Sequence, residues 1–117
     1  MNESIKRSIT TGQPKMRMLC IDVDTTNVKA NGFDANKILS VAKTAVGKYT
    51  ITLKFPFNNQ QPVTPRIFSQ VYTEGFAVKP ISASHSTIVV EVYDEAQALA
   101  DGDFSLMIYG CDGRLTY

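Results

Sequence analysis

The sequence predicts an all-β protein: an antiparallel β-sandwich, jelly-roll-like or Ig-like, with about seven or eight strands. Three observations carry this. Apolar and polar residues alternate with period two through several short segments, as a half-buried strand requires. Gly, Pro, Asn and Asp clusters separate those segments at intervals of about 8–12 residues, the spacing of a sandwich or barrel. No strand alternates with a long helical pattern, which disfavours a doubly wound parallel sheet. The 117 residues amount to one ordinary domain. Within it, residues 1–14 read as a polar N-terminal arm, with turn formers Gly12 and Pro14, and residues 15–117 as the sandwich.

Taken in order, residues 16–23 form the first strand, with Met16, Met18, Cys20 and Asp22 on one face and Arg17, Leu19, Ile21 and Val23 on the other. Turn signals follow at 24–27 and at Asn31-Gly32. Segment 37–45 fits strand and helix equally on periodicity, and Val46-Gly47 ends it. Residues 48–55 give the clearest strand, with Tyr49, Ile51, Leu53 and Phe55 opposite Thr50, Thr52 and Lys54. Pro56, Pro62 and Pro65 make 57–65 a loop, because proline cannot donate to a ladder. Strands resume at 66–73 and 76–83, and Pro80 assigns the second of these to an edge. Two strong strands, 87–93 and 104–110, flank a segment at 94–103 that reads as a loop or one helical turn.

Composition excludes more than it specifies. Twelve basic and eleven acidic residues leave a net charge of +1, so no global field draws in nucleic acid or an anionic membrane. Apolar runs fall far short of the roughly 18 residues a membrane helix needs. No apolar core follows the charges of the N-terminus, so no secretory signal is read and a reducing compartment is expected. Cys20 and Cys111 lie in apolar runs and are expected as free, buried thiols. One histidine, His85, and no CxxC pair argue against structural zinc.

No catalytic, cofactor or metal site is expected. His85, between Ser84 and Ser86, lacks the scaffold that would activate a serine, and reads as a polar turn. Asp22/Asp24 and Asp101/Asp103 are oxygen-rich enough for calcium, yet lack EF-hand spacing and equally suit turns, which is the stronger reading. Exposed-face aromatics are numerous for a small β protein (Tyr49, Phe57, Phe68, Tyr72, Phe76, Tyr93, Tyr109, Tyr117) but lack the basic interleaving of a nucleic-acid platform, so core and interface packing explain them better. One charge asymmetry remains. The start of the chain is basic (Lys6, Arg7, Lys15, Arg17), whereas 91–103 holds five acids, including Glu91, Asp94 and Glu95, and no base. These seven residues are the candidate attachment set, pairing neighbouring copies and fixing register.

Segment 44–57, Thr44-Ala45-Val46-Gly47-Lys48-Tyr49-Thr50-Ile51-Thr52-Leu53-Lys54-Phe55-Pro56-Phe57, resembles the G-x-Y-T-I-T-L…P-F strand of small β-sandwich virion proteins of tailed bacteriophages. The strands at 65–72 and 86–94 and the closing Asp101-Gly102-Asp103-Phe104-Ser105-Leu106-Met107-Ile108-Tyr109-Gly110 extend the likeness over about two thirds of the chain. The resemblance implies a structural role in the virion, assembled in the host cytoplasm. Capsid decoration or cement comes first, with the major capsid protein or other virion structural proteins as partners. It also implies self-association as a homo-oligomer, a trimer being one form. A tail-fibre, head-fibre or baseplate module with host-glycan binding is the alternative. Neither nucleic acid nor membrane is an implied partner.

Overall fold

Tyr49, Ile51 and Leu53 on one strand, and Ile88, Val90 and Val92 on another, are almost wholly withdrawn from solvent, while the residues between them are not. This is the period-two burial that alternation demands. The protein is seen in a computed structural model that describes residues 16–57 and 65–111, with Cys111 as backbone alone. Among the described residues there are eight strands: β1 (Met16–Asp24), β2 (Lys29–Asn31), β3 (Ile38–Ala45), β4 (Lys48–Leu53), β5 (Arg66–Val71), β6 (Ala77–Ala83), β7 (Thr87–Tyr93) and β8 (Phe104–Cys111). They form two four-stranded antiparallel sheets, A in the order β2-β1-β8-β5 and B in the order β3-β4-β7-β6. The chain is a β-sandwich. It has four strands in each sheet, with the hairpins β1–β2 and β3–β4 each kept within one sheet.

The core lies between the sheets. Sheet A contributes Leu19, Ile21 and Val23 from β1 and Phe104, Leu106 and Ile108 from β8. Sheet B contributes the six β4 and β7 residues named above. Burying each such side chain stabilises by about 1.5–3 kcal/mol. Tyr49 and Phe104 meet across the gap with ring centroids 5.8 Å apart and planes tilted by 57°, within the separation at which aromatic pairs attract.

Several local expectations are corrected or resolved. The ambiguous 37–45 segment is strand β3, after one 3-10 turn at Ala35–Lys37. The two-residue turn Val46-Gly47 folds it straight back on β4, Ala45 opposite Lys48, which leaves no room for a helix. Phe55 lies beyond the end of β4 and is exposed. Between the turn signals at 24–27 and Asn31-Gly32 lies a further, three-residue strand, β2, which closes a hairpin on β1 through a turn in which Val28 takes φ 53°, a strained value for a β-branched residue. Segment 94–103 is a loop, held by the Asp94 carboxylate accepting the Ala96 and Ala98 amides. β6 is an edge strand, as Pro80 requires, with a bulge between Pro80 and Ser82.

Two buried side chains close the ends of the sheets. Phe57 is buried because Gly110 has no side chain: a Cβ there would stand 2.7 Å from the Phe57 ring. Asp34 accepts the Cys20 amide at 2.7 Å and donates its own amide to the Cys20 carbonyl, covering the edge of β1 beyond β2.

Candidate functional site

The two outer faces differ in chemistry. On sheet B, register aligns Thr52 with Thr87, Thr50 with Val89, and Lys48 with Glu91 and Lys79. Lys48 reaches Glu91 at 3.7 Å and the Tyr93 hydroxyl donates to Glu91 at 2.5 Å, while Lys79 stands 5.0 Å above the Tyr93 ring. That bond raises the Tyr93 hydroxyl's pKa above its ordinary value. This is a solvated, charge-laced surface.

The outer face of sheet A is apolar at its centre. Three rows cross it: Met18–Tyr109–Arg66, Cys20–Met107–Phe68 and Asp22–Ser105–Gln70, with Met16 beyond the first. Met16, Met18, Met107, Tyr109 and Phe68 are all exposed, Phe68 at 62%. Phe33, at 87% the most exposed large apolar side chain among the described residues, stands beside them on the loop after β2. Between Phe33 and Phe68 the face dips into an open hollow of about 410 Å³, floored by Cys20 and Met107 and walled by Asp22, Gln70 and Ser105. Tyr72 donates its hydroxyl to Asp22 at 2.6 Å, which raises the phenol's pKa and fixes the carboxylate at the rim. Contiguous exposed apolar patches larger than a few hundred Å² are rare on monomers, and the largest patch on a monomer is often functional.

Acids are numerous at one end of the sandwich but are partly paired there. Asp24, Glu74, Asp94, Glu95, Asp101 and Asp103 lie where β1, β5 and β7 finish, with Lys29 opposite Asp24 and Lys43 on Asp101, whereas Arg17, Lys54 and Arg66 lie at the opposite end. Of the seven attachment residues read from the sequence, Lys6, Arg7 and Lys15 fall outside the described residues, as does the whole 1–14 arm. Arg17 lies across the Phe57 ring at 4.5 Å and donates to the Phe55 carbonyl at 2.7 Å. Glu91 belongs to the sheet B ladder, Asp94 organises its own loop, and Glu95 is exposed beside Gly75. Arg17 and these three acids are therefore not brought together within one subunit.

The other residues weighed for chemistry have local work. Asp24 accepts the Thr26 and Asn27 amides and the Asn27 side chain, which lowers its pKa; Asp103 accepts the Thr25 amide and hydroxyl. Asp101 binds Lys43, Tyr49 and Gly47. Ser84 serves the turn containing His85, accepting the Ser86 and Thr87 amides. Among the described residues no cluster of three metal-ligating side chains occurs, and no helix is long and apolar enough to cross a membrane. The aromatics divide: Tyr49 and Phe57 are core, while Phe68, Tyr72 and Tyr109 are exposed.

Sequence reasoning missed the sheet A face as a site, although its signal is present. A strand with one solvated face alternates apolar with polar, but β1 is apolar on both faces (Met16, Met18 and Cys20 against Leu19, Ile21 and Val23), which calls for a second partner. Comparison with family models, with curated proteins and with solved structures finds no match for the chain.

Proposed function

We propose that this chain is a structural assembly protein that joins other protein subunits through the outer face of sheet A. Its specific setting is capsid decoration or cement, with the major capsid protein or other virion structural proteins and neighbouring copies as partners. The observation that carries the reading is the contrast between faces: the central strands of sheet B are polar and internally paired outside, with exposed Leu39 and Ile81 confined to its edge strands, whereas sheet A is apolar and exposed across three adjacent strands. Interfaces are enriched in aromatic residues and Met and depleted of charge at their centre, and the row Cys20–Met107–Phe68 has that composition. The resemblance of 44–57 and 101–110 to virion sandwich proteins supplies the setting.

The test is to purify particles from the lysate in which the chain is made and to locate it by mass and by imaging. The chain is expected to co-sediment with particles, with its density over the head shell, and the variant Phe68→Lys is expected to be lost from them. A chain confined to the soluble fraction, or a Phe68→Lys variant that decorates normally, refutes the reading. The tail-fibre, head-fibre or baseplate alternative has one observation in its favour, the hollow in which Phe33 and Phe68 meet Asp22, Gln70 and Ser105, since sugars stack on aromatics ringed by polar groups. Density at the tail together with glycan binding abolished by Phe33→Ala would favour it.

A further inference from the structure

The occupant of the sheet A face can be inferred from its geometry, on the reading that this face docks protein. We propose that a second copy of this chain packs on it, sheet A against sheet A, about a two-fold axis. The register carries the argument. Asp22 and Arg66 stand at opposite corners of the face, two strands apart and two rows apart, with Met107 at the centre. An axis lying in the face through Met107, at right angles to the line joining those corners, exchanges them. Asp22 of each copy then meets Arg66 of the other, so the ion pair forms twice, as an isologous interface demands. With strands about 4.8 Å apart and rows about 6.8 Å apart, the operation carries Phe68 of each copy over the hollow of the other, among Ser105, Gln70 and Met107. The strands of the two sheets cross at about 70°, nearer the orthogonal than the aligned of the two ways in which sheets pack face to face.

Size and rigidity agree with this pairing. At about 4.8 Å per strand and about 3.3 Å per residue, β1 and β8 with the six-residue β5 and three-residue β2 give a face of about 400 Å², hence about 800 Å² over both copies before side-chain relief is counted, at the low end for a specific interface. Tyr72 already holds the Asp22 carboxylate at the rim, so little ordering remains to be done on binding.

Sedimentation equilibrium of the full chain over micromolar to millimolar concentrations is expected to show a monomer–dimer equilibrium. Asp22→Arg and Arg66→Asp are each expected to weaken it about tenfold or more, and the two together to restore it to within about threefold. Circular dichroism and the melting midpoint confirm that each variant is folded, and rescue in the double variant separates pairing from damage to the fold. A dimer indifferent to both reversals overturns the proposal. So does a monomer throughout, whether residues 1–15 of the same chain or another protein then cover the face. If a monomeric chain is nevertheless stripped from particles by Phe68→Lys, self-pairing fails and the docking function stands. If the dimer and its rescue are found but the chain is absent from particles, self-pairing stands and the virion function fails.

Discussion

Asp101 joins three elements with one carboxylate. It takes the Lys43 ammonium of β3 at 2.5 Å, the Tyr49 hydroxyl of β4 at 2.5 Å and the Gly47 amide of the turn between them at 2.9 Å. Lys43 first, and the Tyr49 hydroxyl after it, hold its carboxyl down from 3.8 to about 2. Tyr49 in turn is pushed up, chiefly by burial and then by this bond. The folded value of Asp101 lies below the unfolded one, so its contribution is complete above the unfolded pKa and is lost as pH falls from about 4 toward about 2. A third of the side chain is exposed, at 34%, so screening holds that contribution to the order of 1 kcal/mol. Asp101→Asn is therefore expected to lower the urea midpoint at neutral pH, and the gap from the parent protein is expected to close as pH approaches about 2. A gap of equal size at both pH values would show that the ionised carboxylate is not what stabilises.

At the scale of elements, the turn between β3 and β4 determines how the loop after β7 closes. Gly47 has φ 73°, and a Cβ on it would stand 2.8 Å from both the Ala100 amide nitrogen and the Val92 carbonyl oxygen. Those two atoms are bonded to each other, and the Val92 amide donates to the Gly47 carbonyl at 2.8 Å, so backbone rather than a side-chain tip would have to move. Gly47→Ala is expected to cost at least about 2 kcal/mol of unfolding free energy in a denaturant titration. A loss of a few tenths would mean that the loop yields easily. Sequence made β4 and β7 legible, because buried β-branched and aromatic residues alternate cleanly there, and Pro80 revealed the β6 edge. β3 was illegible because an edge strand buries little: Leu39 and Ser40 are both exposed, which blurs the period. Phe57 read as a surface aromatic because its burial depends on the missing side chain of Gly110, a distant residue. The docking face required knowing that β1, β8 and β5 are neighbours, which no local pattern contains.

On the scale of the whole molecule, every strand of sheet A apart from the short β2 depends on β8. It lies between β1 and β5, and Met16 at the start of β1 pairs with Cys111 at the end of β8. The same register places Cys20 four residues from the Cys111 position along β1, about 13 Å away, and the Cys20 thiol is free. Contacts so distant along the chain must be formed at the expense of large loop-closure entropy. Refolding after dilution from denaturant is thus expected on the millisecond-to-second scale, measured by stopped-flow fluorescence of the tyrosines. A microsecond phase carrying the full amplitude would contradict that dependence. During synthesis the same pairing sets an order of events. The β3–β4 hairpin and β7 can assemble as soon as they leave the ribosome, but β1 has only β2 beside it until β8 emerges. Throughout that interval β1, apolar on both faces, lacks its partner strand, so the nascent chain is most vulnerable to aggregation just before β8 is made.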